Sequence, residues 1–257
     1  MFPVTVIRKS FVAAISTVFV LIISFLVPAN SFAQYPFEKY KATTYTATGN
    51  WQTSTLSNPK RMKATAQVTD GTSKYIIRLE NRQLPSDTFT ITASTAGGKR
   101  QHFLEPWSVW PESMQQPVRS ADLNGDGISD LKLVVNAVGG GAVPGLVRLI
   151  YLFGQPSGEF IKVSFLSFND GPERDFDNDG RYEMVVRDLV SHKSHSYWAF
   201  NVFSFRNGQF QNVSRRYGYP ILVQFLNRPN YKVTDKVSAK ESEKFLVSQP
   251  REFDLRK

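Results

Sequence analysis

The chain has no cysteine. That absence excludes a disulfide framework, a thiolate metal site, a thiol nucleophile and lipid attachment through a cysteine after the leader. Histidine is scarce too, with only His102, His192 and His195 in 257 residues. His192 and His195 stand three apart in a polar stretch. On strands that spacing does not converge two rings as a helix would, so a surface loop explains them better than a metal site or general base. No G-x-S-x-G nucleophile elbow occurs. Paired carboxylates for glycoside hydrolysis would have to come from Glu105, Glu112, Asp170 or Glu173, and nothing in the sequence distinguishes these four. Stability must come from packing or from metal.

Lys and Arg exceed Asp and Glu, for a formal net charge of +9. The basic residues are scattered, with no run interleaved with aromatics, so the balance implies a basic solvated surface, attraction to anionic envelope polymers at most, and no nucleic-acid partner. The N-terminus reads as a secretory leader. Arg8 and Lys9 precede an apolar stretch over 11–27, and Ser31 and Ala33 supply the small residues at −3 and −1, which predicts cleavage after Ala33. An uncleaved anchor is the alternative and would be the chain's one route to a membrane. Ser16 and Thr17 interrupt that stretch, however, and it falls short of the ~20 apolar residues that span a bilayer.

After the leader, helical periodicity is hard to find, whereas short β-branched and aromatic runs alternate with turn residues throughout. The expectation is an all-β chain with strands over 41–48, 62–68, 74–79, 88–93, 131–136, 146–153, 160–168, 183–187, 197–205 and 210–213. Turns are expected at Asp70 and Gly71, Gly97 and Gly98, Ser157 and Gly158, and Asn207 and Gly208. The last pair suits a two-residue type I′ hairpin. Gly139, Gly140 and Gly141 suggest a flexible connection or a close backbone approach. Trp107, Trp110, Trp198, Tyr217 and Tyr219 are candidates for an aromatic partner surface, against the plainer expectation of core or rim packing. The organisation expected is a leader over 1–33, a β region over 34–120, a two-copy region over 121–225 and a polar, frayed tail over 226–257.

Two acidic segments define the two-copy region. The first carries Asp122, Asn124, Asp126, Gly127 and Asp130; the second carries Asp175, Asp177, Asp179, Gly180 and Glu183. Each leads into an apolar strand, then an aromatic strand, a glycine turn and a Val-Ser pair, Val163 and Ser164 in one and Val213 and Ser214 in the other. The loops are 53 residues apart and the Val-Ser pairs 50, so the segments differ by a small change in loop length. A unit of that size cannot bury its apolar face alone, and stacking on a neighbour is the usual remedy.

Calcium takes 6 to 8 oxygen ligands, and a nine-residue loop can turn positions 1, 3, 5 and 9 toward one point. Those positions hold Asp122, Asn124, Asp126 and Asp130 in one loop and Asp175, Asp177, Asp179 and Glu183 in the other. The carbonyls of Ile128 and Arg181 are free to serve at position 7, after a glycine that permits the reversal. Oxygen ligands without His or Cys argue against zinc, and magnesium prefers a tight octahedron with its own waters. Two calcium ions are expected. An EF-hand would need Glu at position 12, where Leu133 and Val186 stand.

At these residues the sequence resembles the FG-GAP and VCBS repeat families, in which D-x-[DN]-x-D-G-x-x-[DE] loops bind calcium between strands of propeller blades. The likeness covers residues 121–214; the Phe-Gly…Gly-Ala-Pro signature is absent. It implies a small propeller-like fold or stacked antiparallel sheet repeats, with a β-sandwich as the alternative. It also implies an exported, periplasmic or extracellular protein without enzymatic activity that binds a protein or glycan of the cell envelope. Similar exported proteins include inhibitors or immunity proteins for peptidoglycan hydrolases, which present a Ser-Gly loop to the cleft and direct attention to Ser157, Gly158 and Glu159. An envelope hydrolase with a calcium-supported fold is the remaining alternative.

Overall fold

The computed structural model describes residues 35–55, 62–81, 88–95, 97, 99–107, 114–136, 145–225 and 237–257. The leader, the Gly139 to Gly141 run, Gly98, Trp110 and Glu112 lie outside them. The chain divides into two units, Met1–Glu38 and Lys39–Lys257. Of the first, residues 35–38 are described. They form a turn in which the Glu38 N–H donates to the Tyr35 carbonyl and the rings of Tyr35 and Phe37 stack.

The second unit is built from antiparallel sheets, none of them closed. The first sheet has the order β3 (Trp51–Thr55), β4 (Met62–Asp70), β5 (Ser73–Asn81), β6 (Phe89–Thr95) and β7 (Arg100–Glu105). The second runs β17 (Asp254–Arg256), β11 (Phe160–Ser167), β10 (Val147–Gly154), β9 (Asp130–Asn136), β8 (Val118–Ala121) and β2 (Ala47–Gly49). In the third, β13 (Met184–His192) pairs with one side of β14 (His195–Arg206), and β15 (Gln209–Asn212) and β16 (Ile221–Gln224) pair with the other. A small ladder joins β1 (Lys41–Ala42) to β12 (Arg174–Asp175).

Side-chain alternation decides how these sheets pack. On β5, Tyr75, Ile77 and Leu79 are buried while Lys74, Ile76 and Arg78 face outward, as expected of a sheet with one covered face. Every residue of β10 is buried. Its Ile150 and Leu152 join Leu131, Leu133 and Val135 of β9 in a core shared with Ala66, Ile77 and Ile91 of the first sheet. The intervening Leu149, Tyr151 and Phe153, with Val134, join a second core with Met184, Phe203 and Phe205 of the third sheet. The second sheet is therefore covered on both faces.

Three cations lie within that doubly covered sheet. On the face toward the first sheet, the Arg148 Nε donates to Glu105 Oε1 at 2.7 Å, and Lys162 Nζ donates to Glu105 Oε2 and Asp254 Oδ2, both at 2.6 Å. On the opposite face, Lys132 Nζ donates to Glu173 Oε1 at 2.7 Å, and the hydroxyls of Tyr45 and Tyr151 donate to the same carboxylate at 2.5 and 2.8 Å. Arg148, Lys162, Lys132, Glu105 and Glu173 are all essentially inaccessible to solvent. Such pairs are held in place because a buried charge deprived of its partner is costly.

Several expectations need correction. The strand over 41–48 is split into β1 and β2, which join different sheets. Residues 237–257 do not fray: helix α1 (Ala239–Ser242) is closed by a capping box at Ser238 and Glu241, and β17 pairs with β11 because Asp254 is needed beside Lys162. The His192 stretch is a hairpin in which β13 and β14 continue to the paired His192 and His195. Its turn is Lys193 and Ser194, both at positive φ. The Asp70, Ser157 and Asn207 turns fall where expected, with Gly71, Gly158, Asn207 and Gly208 at positive φ.

Chain passes from the second sheet to the first at Gly49. A Cβ there would lie 2.2 Å from the carbonyl oxygen of Gln67 on β4, so only glycine permits this approach. Gly49→Ala is expected to cost about 2–3 kcal/mol in urea denaturation. Glu173 supplies a pH test. Burial opposes its ionisation, but the Lys132 ammonium and the Lys132, Tyr45 and Tyr151 hydrogen bonds outweigh burial and hold the carboxyl below its ordinary range. The stability from this pairing is complete above the unfolded carboxylate pKa of about 4.3 and is lost as pH falls through the depressed folded value. The acid limb of a stability-against-pH curve should accordingly be shallower in Glu173→Gln than in the parent chain.

Candidate metal centre

The two acidic loops leave their sheets in the same way. The residue before position 1 pairs with position 9: Ala121 with Asp130 between β8 and β9, and Arg174 with Glu183 in an isolated bridge. Inside each loop the same four hydrogen bonds recur. The position-1 carboxylate accepts from the N–H groups of positions 5 and 6, from Asp126 and Gly127 to Asp122 and from Asp179 and Gly180 to Asp175. The position-5 carboxylate accepts from position 7, Ile128 to Asp126 and Arg181 to Asp179. The position-9 carboxylate accepts from position 2, Leu123 to Asp130 and Phe176 to Glu183. Gly127 and Gly180 share a φ of 81°, and the position-4 residues, Gly125 and Asn178, are also at positive φ.

The loops differ in how their acids converge. Among the described residues, the set of three carboxylates whose oxygens lie within 4.8 Å of one another is Asp175, Asp177 and Asp179, with Asp175 buried and the other two exposed. The first loop has an amide at the matching third position, where Asn124 Nδ2 donates to Asp126 Oδ2 at 3.0 Å. Neither position-9 acid joins such a set, because each is drawn inward. Asp130 accepts the Leu123 and Gly154 N–H groups at 2.9 Å each, and burial pushes its carboxyl up to about 8 despite these two donors. Burial likewise raises Glu183, against the Phe176 N–H and with Asp177 adding to the rise, while Arg206 opposes it.

Arg206 was not legible as a site residue. Its Nη2 lies 2.9 Å from Glu183 Oε1 and 3.2 Å from Asp179 Oδ2, and the Tyr217 hydroxyl donates to Asp177 Oδ2 at 2.9 Å. Arg206 is the last residue of β14 and Gly154 the last of β10, each on the strand that pairs with the one leaving its acidic loop. Both positions serve the position-9 carboxylate, one through a guanidinium and the other through a backbone N–H. Gly154 has no room for a side chain, since a Cβ would lie 2.6 Å from Ile128 Cγ2. The loops also touch: the Tyr182 N–H donates to the Leu123 carbonyl at 2.8 Å, and the Arg181 side chain lies against Gly125. A cavity of about 300 Å³ between them is lined by Asn124, Asp126, Arg181 and Arg206.

Chemically, this is a set of hard oxygen donors on a frame fixed by backbone N–H groups, which suits a divalent cation that takes many oxygens. Other candidate groups are committed elsewhere. Glu105 and Glu173 are sealed in ion pairs, His102 Nδ1 lies 3.0 Å from the Thr92 hydroxyl, and the His192 ring packs edge-on against Tyr197 and Phe245, its Nε2 3.8 Å from Glu241 and without a hydrogen bond. Trp198 packs between Phe168, Phe225 and the Arg187 guanidinium, and Tyr217 and Tyr219 pack on Phe176. The Ser157 carbonyl is held by Lys99 Nζ. Comparisons with protein-family models, curated proteins and solved structures find no match.

Removing Arg206 leaves the almost fully buried Glu183 side chain without its guanidinium. With calcium chelated at neutral pH, Arg206→Met is expected to lose about 1–2 kcal/mol of unfolding free energy, below the cost for a fully buried pair because Arg206 is partly exposed. An unchanged denaturation midpoint would show that the guanidinium adds nothing.

Proposed function

We propose that this is an exported, non-enzymatic binding protein of the cell envelope or exterior, stabilised by two calcium ions, in which the acidic loops staple a stack of propeller-like sheets. The observation carrying the metal part is the recurrence of one hydrogen-bond frame in both loops together with the convergence of Asp175, Asp177 and Asp179. The ligands would be Asp122, Asn124, Asp126, the Ile128 carbonyl and Asp130 in one loop, and Asp175, Asp177, Asp179, the Arg181 carbonyl and Glu183 in the other. Bound calcium would neutralise carboxylates that repel one another when the loops are empty. The likeness of the two frames supports reading 121–214 as two repeat units of the FG-GAP or VCBS kind, and the double covering of the second sheet supports stacking.

The non-enzymatic part rests on the commitment of Glu105 and Glu173, two of the four acids weighed for glycoside hydrolysis, to buried ion pairs. Export rests on the leader. No helix among the described residues is long and apolar enough to cross a membrane. A partner, protein or glycan, would be met by surfaces away from the metal.

Thermal unfolding tests the metal part. Free calcium at a hundredfold its Kd stabilises by about 2.7 kcal/mol per site. For a chain of this size that corresponds to a rise of roughly 5–10 °C in Tm per site over the chelated protein. Asp177→Asn with Asp179→Asn is expected to remove the second loop's share. Identical melting in calcium and in chelator would sink the proposal.

A further inference from the structure

The outward face of the first sheet is a second functional candidate, remote in sequence from the acidic loops. Its side chains follow from the ladder register. One row across the sheet is Thr65, Arg78, Thr92 and His102; the next is Gln67, Ile76, Ser94 and Arg100; beyond it Thr69 faces Lys74. On the other side lie Lys63, Glu80, Thr90 and Leu104. Lys74, Arg78, Arg100 and His102 are exposed, and Lys63 partly so. Glu80 is the single acid in these rows.

Four other cations are already neutralised. Lys132, Arg148 and Lys162 are neutralised inside the core, and Arg206 lies on the second acidic loop. Lys63, Lys74, Arg78 and Arg100 make no ion pair among the described residues, although Glu159 on the neighbouring turn shares a cavity with Lys74 at one margin of the face. Strands about 4.8 Å apart spread these charges over a nearly flat area roughly 15 Å across β4 to β7. A surface on which cations outnumber acids, with Glu80 the one acid in its rows, attracts a ligand of the opposite sign.

We propose that this face binds a linear anionic polysaccharide. The cations answer its carboxylate or sulfate groups, with Arg78 and Arg100 able to make bidentate contacts. Between them, Thr65, Gln67, Thr90, Thr92 and Ser94 offer hydroxyl and amide partners to a polymer rich in hydroxyls. Nucleic acid fits less well, because the described rows of this face hold no Phe, Tyr or Trp on which bases could stack. A bilayer fits less well because only Ile76 and Leu104 could enter an apolar phase. This deepens the binding proposal by naming its surface and ligand class, and it does not depend on the calcium loops beyond a folded chain.

Affinity for dextran sulfate and for unsubstituted dextran, measured with the full chain at low and at moderate salt, tests it. Binding to the sulfated polymer alone is expected, weakening as salt screens the charges. Lys74→Ala with Arg78→Ala and Arg100→Ala should reduce affinity by about tenfold or more with the melting curve unchanged. Arg215→Ala with Arg216→Ala removes exposed charge elsewhere and should leave affinity within about threefold. No binding, equal loss in both variants, or binding only to anionic phospholipid vesicles would overturn the proposal. A chain that binds dextran sulfate but melts identically in calcium and chelator would overturn the metal reading alone.

Discussion

The second sheet is apolar on both faces and yet carries Arg148, Lys162 and Lys132, and much of the structure follows from balancing those three charges out of water. Glu105, at the end of an edge strand of the first sheet, reaches two of them. A single carboxylate cannot balance two cations, so Asp254 completes the group, and with it the C-terminal strand must dock on β11. Glu173 balances the third from the stretch that leads into the second acidic loop, with two tyrosine hydroxyls filling its remaining acceptor positions. Each ion group thus ties the middle sheet to a different neighbour. Apolar residues of similar volume would hold the layers about as well; the charges add one allowed register between them.

Local chemistry was legible in the sequence and distant chemistry was not. The β-branched and aromatic runs of β5 and β10 announced two strands, though not that one is covered on a single face and the other on both. Asn207 and Gly208 announced their turn, since both tolerate positive φ. Lys193 and Ser194 adopt positive φ as well, but neither residue type signals it, so the hairpin at the histidines passed for a loop. Strands β3 and β7 were missed because edge strands rich in Gln, Thr, Arg and His lack the apolar alternation that marks buried ones. The tail seemed frayed because its composition is polar, and the polar residue that matters, Asp254, is read correctly only once Lys162 is known to be buried.

The same division applies to the candidate site. The spacing of Asp, Asn and Gly identified both loops, because a nine-residue loop sets its own geometry. It could not reveal that Arg206 and Tyr217 would lie on the second loop's acids, or that Asp130 would be fixed by the Gly154 N–H, since those partners arrive from other strands. The loops therefore differ despite a common frame. One has an amide and, among the described residues, no ion pair to its acids; the other has four acids with a guanidinium already paired to two of them. The acidic loops and the basic outward face of the first sheet are built from different strands, which is why the proposed functions of the two regions are separate.

A calorimetric titration of the chelator-stripped full chain with calcium counts the sites directly. The account predicts two ions per chain, held in preference to magnesium, with one lost when Asp175, Asp177 and Asp179 are replaced by asparagine. A titration with no calcium-specific heat, or with equal binding after those replacements, would contradict it.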